Sequence, residues 1–247
     1  MHFFSQKRSS LYPRDEDSYL DGLTLCFDLD GTIIDTAPDL IRVLNLVIAE
    51  EGLPETNYKA LRKLIGYGSR RMIVEAFARE RHKASPARID ALQKLFLKLY
   101  ADDIAQLSRP FAGVIETLKD WQNCGVSLAV CTNKPGYLAR PLLRALNMDI
   151  YFDDIVGGDE APKSKPDPRH IWAAASHNDY RRIVMVGDAY PDIRAAHNAR
   201  VSSILMSYGY TPIAPIKLKA DVILNDFRQI PSALKKLSVS ARSIKMG

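Results

Sequence analysis

Leu25-Cys26-Phe27-Asp28-Leu29-Asp30-Gly31-Thr32 is the stretch around which the chain is organised. An apolar run from Leu23 to Phe27 leads into two aspartates spaced i, i+2 and then into Gly31, with Gly22 bounding the run on its other side. A short run containing Thr24, Cys26 and Phe27 between glycines reads as a buried strand that stops at Asp28 to Asp30. Side chains at i and i+2 lean to the same side of a strand, so the two carboxylates crowd one small volume. Like charges that close do not both ionise comfortably unless a cation lies between them or one keeps its proton. Asp and Gly are also ordinary turn residues, so the octet taken alone is equally a polar strand end closed by a turn.

The period changes directly after Thr32. Thr36 with Asp39 three residues on resembles a helix-start box. Leu40, Val43, Leu44, Val47 and Ile48 then repeat at helical spacing as far as Gly52-Leu53-Pro54. Further helices are expected over Tyr58–Ile65, stopped by Gly66-Tyr67-Gly68, over Ser69 to about Arg81, and from Ser85-Pro86 through Ile89, Leu92, Leu95, Phe96 and Leu99. Residues 36–108 thus read as an all-helical insertion. From Pro110 the rhythm is helix and strand in alternation, with strands expected at Ser127–Cys131, Ile155–Val156, Ile183–Val186, Ser203–Met206 and Val222–Leu224. A last helix is expected over about Pro231–Leu237. Apolar strands alternating with helices imply an α/β fold, a doubly wound parallel sheet that the first strand joins. The expected domains are a flexible extension over 1–20, a core made of 21–35 and 109–237, a helical module over 36–108, and a basic tail over 238–247.

Composition narrows the function classes. With 47% hydrophobic and 26% charged residues, 247 residues are enough for a soluble globular protein that needs no staples. The net charge of +5 comes mostly from Lys235, Lys236, Arg242 and Lys245 near the C-terminus, which leaves the body nearly neutral. No basic patch interleaved with aromatics marks a nucleic-acid surface, and no apolar run has the length of a membrane span. Cys26, Cys124 and Cys131 are odd in number and lack metal-ligand spacing, so a reduced, cytoplasmic protein is expected. His170, His177 and His197 show no paired spacing and read as surface residues.

In an open parallel sheet, ligands bind outside the carboxyl ends of the strands. The first strand ends in Asp28-Leu29-Asp30-Gly31-Thr32 and the second in Thr132-Asn133. The third is followed by Gly157-Gly158-Asp159 and Lys165-Pro166-Asp167-Pro168, the fourth by Gly187-Asp188 and then Asp192. Acids, a hydroxyl and a lysine at one rim suit phosphoryl transfer. A carboxylate nucleophile is repelled by an anionic phosphate unless a divalent cation screens the two. Oxygens from Asp28, Asp188 and a backbone carbonyl suit Mg2+. Thr132 has a hydroxyl to donate to phosphate, and Lys165 a point charge to bind it. Attack by Asp28 would form an aspartyl-phosphate, with Asp30 protonating the leaving oxygen and later deprotonating water.

Asp28-Leu29-Asp30-Gly31-Thr32, Thr132-Asn133, Lys165 and Gly187-Asp188-x-x-x-Asp192 resemble, in order and spacing, the four motifs of the haloacid dehalogenase-like superfamily. The nearer likeness is to its phosphoglycolate phosphatase branch. It rests on Phe27 to Leu40, Ile65 to Gly68, Gly157-Gly158-Asp159, Lys165 to Pro168 and Tyr208-Gly209-Tyr210. The resemblance implies a Rossmann-like core in which the helical insertion is a cap that selects the substrate. It implies Asp28 as nucleophile, Asp30 as acid/base, and Thr132 and Lys165 on phosphate. It also implies Asp188 on magnesium, Asp192 ligating it or orienting its water, and the Asp30 carbonyl as a further ligand. Gly31, Thr32 and Asn133 complete the expected substrate-binding set. Ala189 departs from the pattern, since many members have Ser there. The expected partner is a small phosphate ester, 2-phosphoglycolate first, with the protein a monomer or homodimer. A sugar-phosphate phosphatase or phosphomutase shares every core motif. A dehalogenase has no need of Asp30. A non-catalytic binding protein on the same scaffold would be expected to have lost an acid.

Overall fold

The computed structural model describes residues 19–56, 61–176 and 182–244. Six strands form one parallel sheet: β1 (Thr24–Phe27), β4 (Ser127–Cys131), β5 (Asp154–Val156), β6 (Ile183–Gly187), β7 (Ser202–Met206) and β8 (Val222–Leu224). Their order is β5-β4-β1-β6-β7-β8, with β1 paired to β4 on one side and to β6 on the other. The sheet is buried on both faces, which is why its central strands are apolar throughout rather than alternating with polar residues. Leu25, Phe27, Leu128, Val130, Val184 and Val186 point to one face and belong to the larger core, with Trp121, Phe227 and Ile230. Cys26, Ala129, Cys131 and Met185 point to the other and pack on Ile171, Ala174, Ala195 and Ala196. Cys26 and Cys131 are free and buried, small apolar side chains in effect.

The core helices are α4 (Val114–Asn123), α5 (Gly136–Ala145), α6 (Pro168–Ala174), α7 (Tyr190–Ala199) and α8 (Ile230–Ile244). The last runs past the expected end at Leu237 because neither Pro nor Gly interrupts the chain between Pro231 and Gly247. Residues 245–247 of the basic tail, and its side chains from 238 on, lie outside the described residues, as do residues 1–18 of the N-terminal extension. The end of that extension is anchored: Leu20 is buried, and Arg182 donates to the carbonyls of Tyr19 and Asp21.

The helical insertion is tied off by a small antiparallel ribbon, β2 (Ile34–Asp35) with β3 (Arg109–Pro110). Between these strands lie α1 (Ala37–Ala49), a 3-10 turn (Arg62–Tyr67), α2 (Ser69–Arg79) and α3 (Pro86–Asp102). Two expectations are corrected here. The helix-start box does not form: Thr36 gives its hydroxyl to Asp30, and Asp39 accepts from the backbone N–H of Leu107 and Ser108 and from the Ser108 hydroxyl. A tertiary partner outcompetes the local cap at both residues, and Asp39 thereby pins the far end of the insertion to its first helix. The helix expected over Tyr58–Ile65 is a 3-10 turn that runs through Gly66 and stops at Gly68, whose φ is +85°. Its expected start, 58–60, lies outside the described residues. Among the described residues no helix is long and apolar enough to cross a membrane.

Candidate active site

β1 ends at Phe27, and the Asp28 N–H is held by the Val186 carbonyl of β6. The chain then doubles back: the N–H groups of Thr32, Ile33 and Ile34 all donate to the Leu29 carbonyl. This reversal needs φ = +87° at Gly31, where a Cβ would stand 2.8 Å from Asp188 Oδ2 and 2.9 Å from the Tyr210 ring. The tight turn therefore presses the first loop against the fourth.

Lys165 is the hub of the carboxylate cluster. Its ammonium lies 3.0 Å from Asp28 Oδ1 and 2.7 Å from Asp192 Oδ1, and donates to the Cys131 carbonyl. Asp188 accepts from the Thr32 hydroxyl (2.9 Å) and the Tyr210 N–H (2.6 Å). Asp192, in the first turn of α7, accepts from the Ala189 N–H (3.0 Å). Carboxylate oxygens of Asp28, Asp188 and Asp192 lie within 4.8 Å of one another.

Asp30 lies apart from this cluster. Its carboxylate takes the Thr36 hydroxyl at 2.7 Å and the Lys134 ammonium at 3.0 Å. Two carboxylates two residues apart thus meet different cations, which relieves the crowding inherent in the octet. Lys134 is buried and also sits over the Tyr100 ring, 4.6 Å from its centroid.

The electrostatics follow from burial. Burial pushes the Asp28 carboxyl up to about 6, against the pull of Lys165, with Asp192 and Asp30 adding to the rise. Burial also holds Asp188 well above the usual carboxylate range, with Asp192 and Asp28 reinforcing it against the bonds from Tyr210 and Thr32. Burial works against the charge on Lys165, but Asp192 and Asp28 outweigh it and keep the ammonium protonated. One lysine among three clustered acids leaves an excess of buried negative charge, and the donor set is all hard oxygen. Those residues fit a divalent cation such as magnesium.

A cavity of about 320 Å³ opens over the cluster. Asp28, Asp30, Thr132, Asn133, Lys165 and Asp188 line it from the sheet rim, and Gly68, Arg70, Gln93 and Tyr100 from the helical insertion. Arg70 is paired with Asp90 of α3 at 3.1 Å.

The expected site residues thus gather at one rim, with three in positions other than anticipated. Gly31 forms the turn against Asp188 and is not among the cavity-lining residues. Thr32 turns its hydroxyl to Asp188 and is not among the cavity-lining residues. Asn133 lines the cavity, but its amide donates to the Lys165 carbonyl and so steadies the lysine loop. Thr132 is buried, and its hydroxyl accepts the Lys134 N–H at 3.2 Å. The reading of His170 as a surface residue is corrected: it is fully buried. Its Nδ1 accepts the Lys165 N–H at 3.2 Å, which leaves the proton on Nε2 to be donated to the Val156 carbonyl. His197 is the exposed histidine expected, and His177 lies outside the described residues. Lys134 was not anticipated, although it stands two residues beyond Thr132 at the same strand tip. Tyr208 and Tyr210 clamp the first loop, donating to the Thr32 carbonyl and the Asp35 carboxylate respectively.

A family model described as haloacid dehalogenase-like hydrolase matches residues 25–206. A phosphoglycolate phosphatase of Agrobacterium fabrum is 44% identical over 216 residues, covering 87% of this chain and 93% of the relative. One of Caulobacter vibrioides is 39% identical over 230 residues, covering 92% and 97%. Among solved structures, a predicted phosphoglycolate phosphatase from Haemophilus somnus superposes with a TM-score of 0.79 at 29% identity, covering 85% of this chain and 96% of that one.

Proposed function

The chain belongs to the haloacid dehalogenase-like hydrolase family and is a phosphoric monoester hydrolase; from that premise we propose that it cleaves 2-phosphoglycolate, a small acid phosphate, by way of an aspartyl-phosphate on Asp28. The observation that carries this reading is the clustering of Asp28, Asp188 and Asp192 beneath the cavity, with Lys165 on Asp28 and Asp192 and with Asp30 set apart on Lys134. The Lys165 ammonium, 3.0 Å from Asp28, favours the ionised carboxylate, the form able to attack phosphorus. A bond forms between an Asp28 oxygen and phosphorus as the ester P–O bond breaks. Asp30 enters this step protonated and gives that proton to the leaving oxygen; it then takes a proton from the water that attacks phosphorus as the bond to Asp28 breaks, so both acids are restored. The Lys165 ammonium and the Thr132 hydroxyl serve the phosphoryl oxygens.

Asp28, Asp188 and Asp192, with the Asp30 carbonyl, would hold magnesium. When bound there it screens the phosphate from the nucleophile and polarises the phosphoryl oxygens. Thr32, Tyr210 and Ala189 fix the acids' orientation through the bonds already described. Residues 36–108 act as the cap: they line the cavity on the side away from the sheet. A panel of 2-phosphoglycolate, hexose phosphates, amino-sugar phosphates and nucleotides, assayed with magnesium, tests the substrate. 2-Phosphoglycolate is expected to have the highest kcat/KM, and a clear preference for a sugar phosphate refutes this choice.

A further inference from the structure

Tyr100 closes the C-terminal part of α3 and is 1% exposed, its ring packed on Phe96. Among the described residues, its hydroxyl is the one fully buried side-chain polar atom that meets no hydrogen-bond geometry; the Lys134 ammonium interacts with its oxygen, which leaves the hydroxyl proton without an acceptor. A phenylalanine would fill the same space without burying a hydroxyl proton that has no acceptor, which costs the fold stability. The residue also lines the cavity above the carboxylates. The Lys134 ammonium lies 4.6 Å from its ring centroid, and that ammonium is 3.0 Å from Asp30 Oδ1. Tyr100 therefore borders the cavity on the side where Asp30 meets the leaving oxygen, beside a cation. Burial pushes its hydroxyl up to about 12 against the pull of Lys134, so it remains a proton donor at neutral pH.

We propose that Tyr100 is a specificity-determining residue whose hydroxyl, beside the Lys134 ammonium, donates to a carboxylate separated from the ester oxygen by one methylene. The inference rests on the reading of the chain as a phosphatase of small acid phosphates. Such a carboxylate supplies the acceptor that the buried hydroxyl lacks. Ethyl phosphate, with a methyl in its place, leaves the donor unpaired and is disfavoured accordingly.

The test compares wild type with Tyr100→Phe, in magnesium, by the ratio of kcat/KM for 2-phosphoglycolate to that for ethyl phosphate, together with Tm. Loss of a hydrogen bond to a charged group is expected to lower the ratio about ten- to a hundredfold, with Tm at or above that of wild type. A purely structural tyrosine would change both substrates alike, so an unchanged ratio, or a lowered Tm, overturns the inference. If wild type itself handles ethyl phosphate as well as 2-phosphoglycolate, the acid-substrate reading fails and takes the inference with it. If wild type prefers the acid and the variant keeps that preference, only the role of Tyr100 is refuted.

Discussion

Lys165 holds Asp192 at 2.7 Å in a pair whose two side chains are 1% and 2% exposed. The same ammonium reaches Asp28 at 3.0 Å, so one cation neutralises part of a three-acid cluster. Removing one member of a buried pair leaves its partner uncompensated, which typically costs about 3–5 kcal/mol. Lys165→Met is therefore expected to lose stability on that scale in metal-free buffer, and to recover part of it when magnesium is added. Denaturant unfolding with and without magnesium checks this. Equal losses in both conditions would show that the lysine's role is not electrostatic.

His170 carries a pH signature. Burial, with the nearby Lys165 charge, lowers its pKa from 6.5 to about 4 despite the bond to the Val156 carbonyl. Between those values the unfolded chain takes up a proton that the folded chain refuses. Its contribution to stability is thus fully present above pH 6.5 and is lost as the pH falls towards 4, at a limiting slope of roughly 1.4 kcal/mol per pH unit. His170→Gln should be less stable at pH 8, and its stability should fall less steeply between pH 6.5 and 4. Parallel pH profiles for the two proteins would contradict the assignment.

Magnesium should bind the folded chain without substrate. At a concentration a hundredfold above Kd, a ligand specific to the native state adds about 2.7 kcal/mol to its stability. Asp188→Asn is expected to abolish most of that gain, since it removes a charged member of the cluster. Thermal unfolding across a magnesium titration reads the effect directly.

Gly31→Ala should damage both the loop and the metal site. Its φ of +87° disfavours any side chain, and a Cβ would press on Asp188. Backbone strain of this type costs on the order of 1–3 kcal/mol. The displaced carboxylate should also weaken the stabilisation by magnesium, so the variant's deficit is expected to be larger with the metal than without it.

Much of this architecture can be read from the chain because each strand of a sheet buried on both faces must be an apolar run. Ser127–Cys131 and Val222–Leu224 have the bounds expected of them. The acids and Lys165 are legible because strand ends and the turns after them are local features. What is not legible depends on distant partners. Thr36 and Asp39 have the spacing of a cap, yet Asp30 and the Leu107–Ser108 backbone claim them. His170 has nothing local to mark it as buried, since its role is to fix Lys165 from five residues away while reaching β5. Lys134 and Tyr100 acquire their significance only when α3 is laid beside the tip of β4.

The division of labour between Asp28 and Asp30 is tested most directly by acid-quenching the enzyme during turnover of 2-phosphoglycolate with magnesium and mapping the phosphoryl group by peptide mass spectrometry. The expected result is a phosphoryl group on Asp28. In Asp30→Asn both its formation and its hydrolysis should slow, with turnover down about 10²–10⁴-fold, and it should be absent, along with turnover, in Asp28→Asn. Undiminished phosphate release by Asp28→Asn would contradict the account at its centre.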